Sequence, residues 1–244
     1  MVLNNYREQA DVVLLPIARR ITSISPNTIT YLSFLFAAFT GISIASAGES
    51  DYFLLLAFFF LSLSSLFDAL DGKVARLTEN TTAQGDLLDH VLDRYSDIFI
   101  IGGIAFSPYC PVEIGLIALI TVLIVSYMGT QAQAVGGTRN YGGLLGRADR
   151  LVLLLFTMLV QYILFLFSIR EIQGYYLLGW LMILFIFVGN VNALQRFYDT
   201  WNELGGTETK RESWAKMENG KAKKTIESIP EAEMMEDDIE WGGE

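Results

Sequence analysis

The sequence predicts an all-α integral membrane protein, with six transmembrane helices preceded by an amphipathic helix lying at the membrane interface. Three observations carry that expectation. Of 244 residues, 52% are hydrophobic and only 18% charged, and the mean hydropathy is +0.39, too apolar for an ordinary water-soluble domain. Six apolar stretches recur between residues 28 and 198, each close to the length of about 20 residues that crosses a hydrocarbon core. With the N-terminus placed in the cytoplasm, Arg170 is the one cation among 17 Lys and Arg that falls in an outer loop, as the positive-inside rule requires.

Residues 2–21 mix apolar side chains (Val12, Val13, Leu14, Ile17, Ala18) with charges (Arg7, Glu8, Asp11, Arg19, Arg20), the pattern of a helix lying in the interface. They lack the apolar core and small-residue cleavage site of a secretory leader. Ser25-Pro26-Asn27-Thr28 then supplies a helix start, a capping side chain and proline before an apolar run. The first span is residues 28–47 and the second 52–77, the last turns of which carry Asp68, Asp71 and Arg76. The third, 85–106, opens with Asp89 and Asp93. Pro108 and Pro111 interrupt the chain before a fourth span at 112–134. A loop at 135–146 carries Gly136, Gly137, Arg139, Gly142 and Gly143 and leads to spans at 147–167 and 175–198.

From Asn202 the chain turns polar, so the expected division is a membrane domain over 1–201 and a disordered cytoplasmic tail over 202–244. The tail accounts for −6 of the formal charge of −10, with 12 acidic and 6 basic residues from Glu203 onward. No basic face for nucleic acid is implied. The single cysteine, Cys110, excludes an intrachain disulfide, and no Cys/His cluster suggests zinc.

Chemistry concentrates in residues 68–97, where Asp68, Asp71, Asp86, Asp89, Asp93 and Asp97 interrupt an otherwise apolar region. On helices, Asp68 and Asp71 are i, i+3 neighbours and Asp89 and Asp93 are i, i+4 neighbours, so each pair shows two carboxylates on one face. If 77–84 turns the chain back, the pairs face each other and can hold one or two hard divalent cations, Mg²⁺ or Mn²⁺. Gly72, Ala75 and Gly85 are small where a ligand or partner helix comes close, and Arg76 is placed to pair with phosphate. His90, the single histidine, lies between two aspartates on a different helix face and reads as a spectator.

The pattern D-x2-D-G-x2-A-R-x8-G-x3-D-x3-D resembles the signature of the CDP-alcohol phosphatidyltransferase family without a departure. Eight specified positions at about 6% usage each make a chance match on the order of 10⁻¹⁰ per window. The resemblance implies transfer of a lipid-linked phosphoryl group from a CDP-activated donor to an alcohol, with release of CMP. It assigns Asp68, Asp71, Asp89 and Asp93 as ligands of two metal ions and Asp93 as general base as well. It places Gly72, Ala75, Arg76, Thr82 and Gly85 at the nucleotide and Asn27, Thr28, Ile29 and Thr30 at the start of the donor-binding segment. The donor can be CDP-archaeol or CDP-diacylglycerol, and the active site and both termini are expected on the cytoplasmic side of the cell membrane. A homodimer is also implied.

Arg147, Arg150 and Arg196 stand at cytoplasmic span ends and suit an acceptor that carries phosphate. The stretch Gly142 to Leu151 and Gln195-Arg196 resemble the inositol-phosphate-using branch of the family, making inositol phosphate the expected acceptor, with glycerol phosphate and serine as alternatives. Where that branch has basic residues after a Ser-Tyr pair, this chain has Ser126-Tyr127-Met128-Gly129-Thr130-Gln131, and Arg139 is the candidate replacement. A competing reading from another class, a metal-ion transporter using the aspartates as a conduction site, fits less well. Transport sites lie near the midplane, whereas these acids gather at span ends.

Overall fold

In the computed structural model, which describes residues 7–48, 50–136 and 146–227, with side chains from 11 to 206 within those bounds, the described secondary structure is almost wholly helical. The α-helices are α1 (Arg7–Arg20), α2 (Pro26–Ala45), α3 (Tyr52–Leu77), α4 (Ala83–Ala105), α5 (Val112–Ala134), α6 (Arg147–Leu166) and α7 (Leu177–Glu227). Their starts follow local chemistry. Ser25 has extended backbone and its Oγ accepts from the Thr28 N–H at 3.2 Å, with Pro26 at the first helical position. Thr82 does the same for α4, accepting from the Gly85 N–H at 3.0 Å. At α6 the Gly146 N–H donates to Asp149 Oδ2 at 2.9 Å.

Between α3 and α4 the chain reverses within five residues, 78–82. Glu79 takes a left-handed conformation (φ 53°), and the Asn80 N–H donates to the Ala75 carbonyl at 2.9 Å, closing the end of α3. This turn lies within the 77–84 stretch expected to turn the chain back; α3 and α4 both pack on α2, and Asp68 and Asp71 of the one meet Asp89 of the other.

Among the described residues, five helices are long and apolar enough to cross a membrane: Pro26–Gly48, Tyr52–Leu77, Val112–Ala134, Arg147–Leu166 and Leu177–Gly206. The remaining expected span, α4, carries Asp86, Asp89, Asp93, Arg94 and Asp97 and is too charged to qualify on composition, although its last eight residues, Ile98 to Ala105, are apolar. Together with the family described below, these helices make this a multi-pass membrane protein. Large apolar side chains such as Phe59, Ile120, Phe156 and Phe187 are exposed on outward faces, where lipid replaces water.

The main core gathers Ile44, Leu54, Leu61, Ile100, Ile104, Met158, Leu178, Met182 and Phe185 from α2 to α7. α2 and α4 meet most closely at Gly41 and Gly103, where a Cβ on either glycine would run into the other helix's backbone, at Phe99 and Gly41 respectively. A smaller cluster of Ala18, Ile29, Leu70 and Val74, flanked by Leu14, Ile21, Leu66 and Phe67, packs α1 against α2 and α3. Lys73 of α3 also pairs with Asp11 of α1. Away from the aspartates, Asp51 pairs with Arg170 at 3.3 Å and buried Gln161 accepts from the Leu177 N–H at 2.5 Å.

The chain divides into two compact units, Met1–Phe197 and Tyr198–Glu244. In the second, the backbone is helical as far as Glu227, across a polar stretch whose composition predicts disorder.

Candidate active site

The carboxylates of Asp68 and Asp71, near the C-terminal end of α3, meet that of Asp89, in the second turn of α4. One oxygen from each lies within 4.8 Å of the others. Asp89, His90 and Asp93 form a second group at the same spacing. Asp71 is buried, with Oδ1 accepting from the Gly72 N–H at 2.5 Å and Oδ2 lacking any hydrogen-bond partner. A buried carboxylate oxygen with no donor is costly unless a cation meets it. An all-oxygen donor set with an orphaned buried oxygen therefore fits a hard divalent metal.

Arginines complete the cluster. Arg147 Nη1 stands 2.6 Å from Asp68 Oδ1 and 2.6 Å from Asp93 Oδ1, tying α6 to both α3 and α4. Arg94 Nη2 is 3.5 Å from Asp93 Oδ2 and 3.9 Å from Asp97 Oδ2, and Arg150 Nη2 is 3.3 Å from Asp97 Oδ2. The charges thus alternate along Asp68, Arg147, Asp93, Arg94, Asp97 and Arg150. Asp71 and Asp89 lie outside this alternation and leave the cluster with negative charge for a cation to neutralise.

The residues expected at the nucleotide surround the same α3–α4 turn. The Asn27 side-chain oxygen lies 3.3 Å from where a Gly85 Cβ would stand, so the start of α2 abuts the start of α4. Thr30 sits beside Asp71, and its hydroxyl donates to the Pro26 carbonyl at 3.1 Å. Thr28 bonds Ser25, and Ile29 is fully buried in the smaller core cluster. Gly72 faces Arg76, an ideal Cβ there lying 3.8 Å from Arg76 Nη2, while Ala75 is half-buried and Arg76 exposed. Thr82 is the α4 cap.

The three arginines expected at the acceptor separate by partner. Arg147 and Arg150 join the carboxylates, whereas Arg196 donates to the Val125 carbonyl at 2.8 Å and lies against Gly129, beside the unusual fourth-span segment. Arg139 lies outside the described residues. His90, expected to be a spectator, lies against two aspartates. Its Nε2 is 3.5 Å from Asp86 and its Nδ1 3.8 Å from Asp89, since a side chain one turn beyond Asp86 can swing back onto it. Sequence reading assigned no task to Arg94, Asp97 or Asp149. The only signal for the first two was spacing, since Asp97 follows Asp93 by one turn.

The CDP-alcohol phosphatidyltransferase family matches residues 23–191. The chain is 32% identical over 207 residues to the archaetidylinositol phosphate synthase of Methanothermobacter thermautotrophicus, covering 83% of this chain and 96% of that one. It is 28% identical over 155 residues to the phosphatidylinositol phosphate synthase of Corynebacterium glutamicum, covering 60% and 68%. Among solved structures, the phosphatidylinositol phosphate synthase of Mycobacterium tuberculosis with CDP-DAG bound superposes with a TM-score of 0.62 at 26% identity, covering 78% of this chain and 94% of that one. The same enzyme in complex with manganese and citrate gives 0.61 at 27%, covering 76% and 88%. With the aspartate signature intact and gathered at one site, the chain belongs to the CDP-alcohol phosphatidyltransferase family and is a metal-dependent membrane enzyme of phospholipid biosynthesis.

Proposed function

We propose that this enzyme transfers a phosphatidyl or archaetidyl group from CDP-diacylglycerol or CDP-archaeol to inositol phosphate, releasing CMP. The observation that carries the reading is the convergence of four motif aspartates from α3 and α4 with two arginines of α6. Similarity to the Methanothermobacter synthase over 96% of its length supports inositol phosphate as the acceptor. Glycerol phosphate would also use the arginines, whereas serine would have little need of them.

Asp68, Asp71, Asp89 and Asp93 would hold Mg²⁺ or Mn²⁺, two ions in our reading, which supply charge neutralisation at the donor pyrophosphate. Asp93 takes the proton from the acceptor hydroxyl as its oxygen attacks the lipid-bearing phosphorus. The bond from that phosphorus to the CMP oxygen breaks, and CMP leaves with the bonding pair. Asn27 to Thr30, Gly72, Ala75, Arg76, Thr82 and Gly85 line the nucleotide and donor side. Arg147, Arg150 and Arg196 fix the acceptor phosphate by charge-assisted hydrogen bonds, with Arg139 as a further candidate.

The same reading includes six spans, with α4 crossing because Asp93, Arg94 and Asp97 are met by ion pairs. It also includes α1 as an interfacial helix whose exposed Val12, Val13 and Ile17 meet lipid. The active site and both termini are cytoplasmic, residues 202–244 form a separate tail, and the enzyme works as a homodimer.

The test is CMP release by purified protein given CDP-archaeol or CDP-diacylglycerol, Mg²⁺ or Mn²⁺, and inositol phosphate, glycerol phosphate or serine in turn. Release with inositol phosphate alone is the expected result. Release with another acceptor alone would overturn the acceptor assignment and keep the aspartate chemistry.

A further inference from the structure

Two charged side chains of the cluster, Arg94 and Asp97, take no part in the steps above. Asp97 follows Asp93 by one helical turn, so the two carboxylates share a face of α4. It is 4% exposed, and its Oδ2 meets Arg150 Nη2 at 3.3 Å and Arg94 Nη2 at 3.9 Å. Arg150 is itself 6% exposed. A guanidinium at such a site needs a carboxylate partner, because a lone buried cation is strongly unfavourable.

A phosphate ligand gains most from an arginine whose fork is already oriented, because a long flexible side chain otherwise loses rotamer freedom on binding. The guanidinium carries five N–H donors in a rigid plane, so a bond from one nitrogen to Asp97 sets the plane without exhausting its capacity for a second anion. Asp93, the proton acceptor, lies one turn away on the same face. We propose that Asp97 is a positioning residue that fixes the Arg150 guanidinium beside Asp93, so that a phosphorylated acceptor docks with its hydroxyl directed at the base. This rests on the reading of Arg150 as an acceptor-phosphate ligand. The competing account is that the Asp97–Arg150 pair only fastens α4 to α6.

A double-mutant cycle on the purified full chain separates the two accounts, using Asp97→Asn, Arg150→Gln and the double variant. The readouts are KM for inositol phosphate, KM for the CDP-lipid, and affinity for inorganic phosphate by calorimetry. Asp97→Asn is expected to raise the acceptor KM about tenfold, the scale of one charge-assisted hydrogen bond, and to weaken phosphate binding equally. The CDP-lipid KM should stay within about twofold, and Asp97→Asn should add nothing in the Arg150→Gln background. Equal rises in both KM values, or additive effects, would overturn the proposal. Should Asp97→Asn alone fail to fold, the comparison of Arg150→Gln with the double variant, which removes both charges, still decides. If the wild type releases CMP with no phosphorylated acceptor, the acceptor reading falls, while the phosphate-binding arm continues to judge Asp97 alone.

Discussion

At Asp93 one carboxylate is gripped from two sides, Oδ1 by Arg147 at 2.6 Å and Oδ2 by Arg94 at 3.5 Å. Those bonds hold its plane fixed, which a proton acceptor requires if it is to meet a docked hydroxyl in one geometry. Asparagine keeps the shape but cannot take the proton, so Asp93→Asn should cut CMP release by about 10²- to 10⁴-fold. Manganese binding, followed by calorimetry, should persist on Asp68, Asp71 and Asp89, whose oxygens form a group of their own. Substantial turnover in the variant would remove Asp93 from the base role. The aspartates were legible in the sequence because helical spacing alone puts Asp68 with Asp71 and Asp89 with Asp93 on shared faces. The partners of Arg147 were not. Asp68 lies 79 residues away, and only the packing of α6 against α3 brings them together. The same holds for Arg150 and Asp97, 53 residues apart.

Helix positions were largely legible, since the expected second and fourth spans coincide with α3 and α5 and the fifth ends one residue beyond α6. Apolar runs and capping residues are local signals, and helix ends follow them. What local signals do not reveal is how closely two helices approach. Gly41 and Gly103 read in sequence as ordinary small residues, yet a Cβ at Gly41 would run into Phe99 backbone and one at Gly103 into Gly41 backbone. Backbone cannot yield as a flexible side chain does. Gly41→Ala and Gly103→Ala should each destabilise the fold by about 1–3 kcal/mol. Combined, they should cost less than their sum, because one separation of α2 from α4 relieves both clashes. Gly102→Ala is the internal control, since its Cβ would meet nothing within 4 Å and alanine favours the helix. Thermal unfolding in detergent reads all four variants. Loss of stability in Gly102→Ala equal to that in Gly103→Ala would show that the close approach is not the cause.

For the whole molecule, whether α4 crosses the membrane reduces to parity. Asn80, in the turn before α4, and Glu171, beyond α6, are both exposed and are separated by α4, α5 and α6. Three crossings put them on opposite sides of the bilayer, whereas a non-crossing α4 puts them on the same side. The charges of α4 do not forbid crossing, because Asp93, Arg94 and Asp97 are met by ion pairs and its last eight residues, Ile98 to Ala105, are apolar. Single cysteines report the answer cleanly. The native Cys110 is buried, and burial pushes its thiol up to about 11, so at neutral pH it stays protonated and reacts slowly. With a membrane-impermeant maleimide on intact cells, Glu171→Cys should label directly and Asn80→Cys only after permeabilisation. That pattern would support six spans and a cytoplasmic active site together, because Asn80 adjoins the aspartate cluster and Arg170 is the lone cation expected outside. Labelling of both cysteines from one side would instead make α4 a helix that enters without crossing. The mirror pattern would keep six spans and invert the enzyme, separating it from a nucleotide-activated donor made in the cytoplasm.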